Sequence, residues 1–453
     1  MKRVPVHEVR FENAARADGD GVLLGWEAQP RPLFGFAAGA DVTGRRRPID
    51  YHGDAHLLTV APTGSGKGRG SIIPNLLTYP GPVVVFDPKG ENYLVTARRR
   101  RALGQRVVRL DPFGVVDDDG DGFNPLDVFD LPGADPECDA QMLAELLSTG
   151  NRGVKDPFWD LNACGLHSGL IAHVATGKPR PERHFNEVRK YLMADDAVYS
   201  MAVLLDTAGK SMNRMAHDEI AAFLQMSERD TRPGVLATAN SYIKPFLSER
   251  VVKALQASSF DLNDVVRGRP LSIYLILPPD KLHSHRGLLK LWVGTLLRAI
   301  TCRRHIPPRR TLFVLDECGQ LGPFPLLETV ITLCRGYGVQ CWTFWQDLAQ
   351  IQASFPTGWK TIINNSGVVQ VFGINNREMA TQWGEYLRHG AEELLALRAE
   401  EQVLQVRGRE EMKSLRLDYL GDPLFAALFD RNRFFAGAGA AEELAGGMGD
   451  RNR

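Results

Sequence analysis

Residues 56–77, HLLTVAPTGSGKGRGSIIPNLL, bring together the side chains and glycines that hold a polyphosphate. Gly64 and Gly66 let the backbone turn its amides inward, and Lys67 is placed to reach the outer phosphates. A helix starting just after them adds the partial positive charge of its N-terminus. Residues 61–68, APTGSGKG, follow the P-loop pattern G-x-x-x-x-G-K-[ST] except at two positions. Ala61 replaces the first glycine, and Gly68 stands where a hydroxyl ordinarily binds magnesium. Without that hydroxyl, the metal must be held by water, by a distant carboxylate, or less tightly than usual. The candidate phosphate-binding set is Thr63, Gly64, Ser65, Gly66, Lys67, Gly68 and Arg69.

Three further polar clusters follow apolar runs. Residues 311–317, TLFVLDE, end in two acids: Asp316 can orient magnesium through water, and Glu317 can polarise an attacking water. The run at 339–344 is tipped by Gln346 and Asp347. Gln346 can sense a terminal phosphate or hold the attacking water; a turn in which Asp347 caps the next helix explains the pair equally well. Residues 82–87, PVVVFD, lead into PKGE, a polar cluster expected at the tip of a strand beside the P-loop strand. Asp87 and Glu91 read equally as a turn residue and a first-turn acid of a helix.

The elements that carry these residues are legible from periodicity. The β-branched run at 82–87 has no polar alternation, as expected of a parallel sheet covered on both faces, and 107–110 and 271–277 read the same way. A long helix is predicted over 286–303, another over 325–335 stopped by Gly336, and a last clear strand over 368–372. Asn375 is the expected cap of a helix running to about residue 388. The arginines at 98–101 fit a helix end, where the dipole alone favours cations. The basic run at 45–47 reads as a solvated loop in preference to a binding patch. The acidic, Gly-rich stretch 117–122 marks a composition break, after which 126–264 carries helical spacing throughout. The expected organisation is an α/β nucleotide-binding domain in two parts, 1–125 and 265–435, interrupted by an all-α domain at 126–264. Residues 436–453 form a flexible tail.

With 453 residues, 44% hydrophobic and 24% charged, the chain can bury a large core. Its 54 basic and 54 acidic residues cancel, so any nucleic-acid contact must come from local patches. Six cysteines without metal-ligand spacing fit a reducing compartment. No apolar run is long enough to span a bilayer, residues 1–10 read as a natural start without a signal peptide, and a soluble chain is expected.

The ordered set APTGSGKGRGSIIPNLL, VVVFDPKGE, DPFWD at 156–160, FVLDECGQLG and QDLAQI resembles the TraG-like coupling ATPases of type IV secretion and conjugation. The likeness covers about residues 51–429. It implies a RecA-like P-loop NTPase core with a mainly parallel sheet, interrupted by an all-α domain, using ATP and magnesium and related to FtsK-like translocases. It further implies a ring of six around single- or double-stranded DNA, with a monomer in isolation as the alternative. Expected partners are a relaxase or other secreted substrate protein and the components of the secretion channel. By the resemblance Gly64 to Gly68 hold the phosphates, Lys67 the terminal phosphate, Asp316 the magnesium and Glu317 the water, with Gln346 as sensor; Asp87 and Glu91 belong to a family motif without an assigned role. A neighbouring subunit would supply an arginine, for which Arg335 and then Arg377 are candidates, although both fit plain helix-end arginines. Such relatives commonly begin with two membrane-spanning helices. This chain is expected to lack them and to be cytoplasmic, either reaching the bacterial inner membrane peripherally through partners or serving a soluble DNA-handling role. The competing expectation is a nucleotide-gated adaptor that recruits substrate with little or no hydrolysis, which Gly68 favours.

Overall fold

The computed structural model describes residues 21–28, 47–148 and 157–433. The first residues of the lead-in, Arg45 and Arg46 of the basic run, Asp156 of the DPFWD stretch and the tail at 436–453 lie outside them. Eleven strands form one sheet: β1 (Val22–Glu27), β2 (Pro48–Tyr51), β3 (His56–Val60), β4 (Val83–Phe86), β5 (Arg106–Leu110), β6 (Leu271–Leu275), β7 (Thr311–Leu315), β8 (Val339–Trp345), β9 (Ser366–Val371), β10 (Glu401–Val406) and β11 (Met412–Leu415). Their spatial order is β2-β1-β11-β10-β9-β3-β8-β7-β4-β6-β5. The run from β9 to β5 is parallel, and β10, β11, β1 and β2 extend it antiparallel.

Strands β3, β4, β6, β7 and β8 are buried at every residue, which is why their sequences show no polar alternation. Helices cover both faces. Three expectations need correction. Strand β4 does not lie beside the P-loop strand, because β8 and β7 stand between them. Nor is the strand at 368–372 the last, since β10 and β11 follow it. The cap of the helix Arg377–Leu387 is Asn376, whose side chain accepts the Met379 amide at 2.9 Å, and not Asn375.

The arginine cluster also does more than complement a helix dipole. Arg100 is fully buried, and its guanidinium donates to Ser272 Oγ at 2.9 Å, to the Gly81 carbonyl at 2.6 Å and to the Tyr79 carbonyl. It thereby ties the helix Glu91–Ala102 to the turn before β4, satisfying carbonyls that burial would otherwise leave orphaned. Between β5 and β6 the described residues form helices and turns without a strand. Their apolar side chains, among them Leu143, Leu170 and Ile220, are continuous with Phe86, Leu275 and Trp292 in one hydrophobic core. The helical segment is thus packed onto the sheet rather than around a separate core.

Candidate functional site: a P-loop facing two acidic strand tips

Parallel register brings three strand tips to one edge. Val60 of β3 is level with Trp345 of β8, and Leu315 of β7 with Thr343 of β8, so Ala61 and Gln346 leave the sheet side by side and Asp316 leaves it at the same edge two residues earlier along β8. This carboxyl edge is where open α/β sheets place ligands.

The P-loop turns as its composition dictates. Gly64 and Gly66 adopt φ of 79° and 84°, the left-handed region in which a Cβ is disfavoured. Ser65 donates both its amide, at 3.2 Å, and its hydroxyl, at 2.5 Å, to the Pro62 carbonyl. After Lys67 the chain makes one wide turn over Gly68–Ile72, in which the Ile73 amide reaches back to the Gly68 carbonyl, before the helix Ile73–Thr78. The Gly68 position opens onto free space: a Cβ built there meets nothing within 4 Å.

Lys67 is buried, and its Nζ lies 2.7 Å from Glu317 Oε1. Gln346 Nε2 donates to the other carboxylate oxygen of Glu317, also at 2.7 Å. Residues separated by hundreds of positions therefore meet on one carboxylate. Glu317 is held there with φ 54° and ψ 47°, a conformation costing a non-glycine residue about 1–3 kcal/mol. Asp347 does cap the following helix, accepting the Gln350 amide at 2.8 Å.

Asp316 sits at the tip of β7 with Oδ1 sealed from solvent and without a hydrogen-bond partner among the described residues. Burial pushes its carboxyl up to about 7, with Lys67 opposing the shift and Glu317 reinforcing it. Asp87, at the tip of β4, is likewise pushed up to about 7 by burial, although it accepts the Tyr93 amide at 2.9 Å. Among the described residues no three His, Cys, Asp or Glu side chains converge to form a closed metal site. The buried, unpartnered Oδ1 of Asp316 is a hard oxygen donor of the kind that magnesium takes. Glu91 Oε1 accepts from Asn432 Nδ2 at 2.7 Å.

The other candidates stand apart. Arg69 is turned to Asp418 in a bidentate pair at 2.6 and 2.5 Å. Thr63 is exposed beside the loop. Arg335 lies just before β8, at the far end of that strand from Gln346, with Nε 3.8 Å from Asp54 and nearly half its side chain exposed. Arg377 is exposed and pairs with Glu392 at 3.4 Å. Arg416, by contrast, was not marked by any motif, yet it touches the P-loop: its guanidinium donates to the Gly66 carbonyl at 2.8 Å. A hollow of about 750 Å³ lined by Asp127, Arg180, Lys253 and Asp261 shares no residue with this edge.

The chain is 27% identical over 351 residues to the conjugal transfer protein TraG of Escherichia coli, covering 73% of this chain and 54% of that protein. It is 26% identical over 460 residues to the protein VirD4 of Rhizobium radiobacter, covering 91% of this chain and 63% of that one. It spans about half the length of the first of these relatives. The plasmid coupling protein TrwB, solved with the ATP analogue ADPNP, superposes with a TM-score of 0.63 at 16% identity over 80% of this chain and 85% of TrwB. That likeness establishes a shared RecA-type α/β fold. The model of the type IV secretory system conjugative DNA transfer family matches residues 24–387, and the chain belongs to that family.

Proposed function

We propose that the chain is an ATP-hydrolysing coupling protein that recruits DNA, or a protein–DNA substrate, and drives it toward a type IV secretion channel. The observation that carries this reading is the convergence of Lys67, Glu317 and Gln346 at the tips of β3, β7 and β8. That is the set needed to hold a terminal phosphate, polarise a water and report what lies between them. TraG and VirD4 are named for conjugal transfer and coupling, and TrwB has been solved with ADPNP and with ADP and Mg2+.

In this mechanism the amides from Gly64 to Gly68 cradle the phosphates, and Lys67 leaves Glu317 for the terminal phosphate. Magnesium, when bound, would neutralise phosphate charge, and Asp316 is the carboxylate placed to hold it through water. Release from Lys67 frees one Glu317 oxygen to accept a proton from an attacking water, while Gln346 keeps the other oxygen oriented. Arg335, remote from its own P-loop, is available to a neighbouring subunit of a hexameric ring. A ring multiplies each chain's few DNA-facing cations sixfold, so a neutral monomer is compatible with phosphate binding. Among the described residues no helix is long and apolar enough to cross a membrane. Residues 126–264 serve as the substrate-facing helical domain.

A second reading is favoured by two features: Glu317 is fully engaged by Lys67 and Gln346, and Gly68 offers magnesium no hydroxyl. On that reading the chain is a nucleotide-gated recruiting module with little turnover. Calorimetric titration with ATP and Mg2+ tests what both readings share. Binding that Lys67→Ala abolishes is the expected result, and a chain that binds no nucleotide overturns both.

A further inference from the structure

Arg416 follows β11 and is separated from the P-loop by 350 residues, yet it is built into the loop's outer wall. One terminal nitrogen donates to the Gly66 carbonyl at 2.8 Å, and the other donates to the Ala399 carbonyl at 2.9 Å. The guanidinium lies 3.9 Å above the centre of the Phe372 ring, and Nε is sealed from solvent without a partner among the described residues. Gly70 is what lets it approach, since a Cβ there would stand 2.7 Å from the Arg416 terminal nitrogen. The Gly66 carbonyl is thus doubly held, by the Gly70 amide at 2.9 Å and by Arg416.

We propose that Arg416 is a positioning residue for nucleotide: by gripping the Gly66 carbonyl from behind, it fixes the plane of the Gly66–Lys67 peptide and so aims the Lys67 amide and side chain at the phosphates. A peptide unit is rigid, so holding its carbonyl on the outer side turns its N–H to the inner side, where phosphate binds. A planar guanidinium can bridge two carbonyls while stacking on a ring, which an ammonium cannot do. The segment continues as a strap along the same helix: the Arg69–Asp418 pair follows one turn later, and the Tyr419 amide reaches the Arg69 carbonyl at 3.4 Å. Burial, with Arg69 nearby, lowers the Arg416 pKa to about 10, so it remains charged at neutral pH.

This inference rests on the nucleotide-binding reading, and the experiment separates the two. Equilibrium titration with the fluorescent analogue mant-ATP, steady-state turnover and thermal unfolding are measured on the full chain and four variants. Arg416→Ala is expected to weaken mant-ATP binding by about tenfold, the size of a lost charged hydrogen bond, raising KM while kcat stays within about twofold. Gly70→Ala, which pushes the guanidinium aside without removing it, should reproduce that split even where Arg416→Ala is too unstable to assay. Arg416→Lys should recover only part of the affinity. Arg98→Ala, which removes the strap's pair with Asp430 away from the P-loop, should lower thermal stability and leave mant-ATP binding unchanged. Wild-type affinity in both Arg416→Ala and Gly70→Ala overturns the assignment. So does an equal loss in Arg98→Ala, which would make Arg416 one structural tie among several. A wild-type chain that binds no mant-ATP overturns the underlying reading instead.

Discussion

Lys67 Nζ lies 2.7 Å from Glu317 Oε1, so the cation proposed for a terminal phosphate and the carboxylate proposed for the attacking water neutralise each other. On the proposed mechanism, nucleotide competes with Glu317 for Lys67. Glu317→Gln removes the competing charge while keeping a polar side chain of the same shape. It should bind ATP several-fold more tightly than wild type while turnover falls by about a hundredfold, the scale of a lost general base. Parallel titration and turnover assays check this; unchanged or weaker binding would show that the pair does not hold Lys67 back.

Gly68 is not imposed by crowding, because a Cβ at this position meets nothing within 4 Å. Gly68→Thr should therefore fold without loss of stability, since replacing a helical glycine ordinarily helps by about 0.5–1 kcal/mol, less a little for β-branching. Its hydroxyl should supply the missing magnesium ligand and lower the Mg2+ concentration that half-saturates nucleotide binding. A Mg2+ titration unchanged from wild type would place the cation away from residue 68.

Asp87 gives a pH prediction whose sign is fixed by burial. Its carboxyl rises from 3.8 to about 7 on folding, so between those values the folded chain binds the extra proton. Stability from this group is present at the acid end and is lost as pH climbs through the window. Asp87→Asn cannot ionise, yet it can still accept the Tyr93 amide. Its melting temperature relative to wild type should be higher at pH 8 than at pH 5, and a difference that is flat with pH would contradict a buried, neutral Asp87.

Arg335 should act only between subunits, since it stands at the opposite end of β8 from Gln346. Arg335→Ala should abolish turnover and leave ATP affinity nearly intact. Mixing it with Lys67→Ala subunits should restore part of the activity, because some interfaces then hold one intact P-loop and one intact arginine. Retained turnover in Arg335→Ala removes the residue from the site.

The P-loop and the acidic tip of β7 were legible because each is local: a buried strand, a turn and a helix start encode them within a few residues. The order of the strands was not, since nothing near residues 82–87 specifies that β8 and β7 separate β4 from β3. Strands β10 and β11 escaped notice for a different reason. Their face of the sheet carries a buried polar seam, in which Gln370 Nε2 donates to Gln402 Oε1 at 2.6 Å and Gln402 Nε2 donates to the Leu24 carbonyl at 2.8 Å. Strand β10 carries Gln402 and Gln405 among its six residues and β11 has only four, MKSL, so neither reads as an apolar run, although the buried glutamines are satisfied in the fold. Arg416 was invisible on both counts, having no motif around it and a partner hundreds of residues away.

The most direct test of the motor reading is steady-state ATP hydrolysis by the full chain with and without single- and double-stranded DNA. Glu317→Gln serves as the blank, and oligomer mass is read on the same samples. The account predicts that DNA raises turnover well above the blank and shifts the chain to a ring of six. Nucleotide binding with turnover at the blank under every DNA condition, in a chain that stays monomeric, would contradict it and leave the recruiting module as the function.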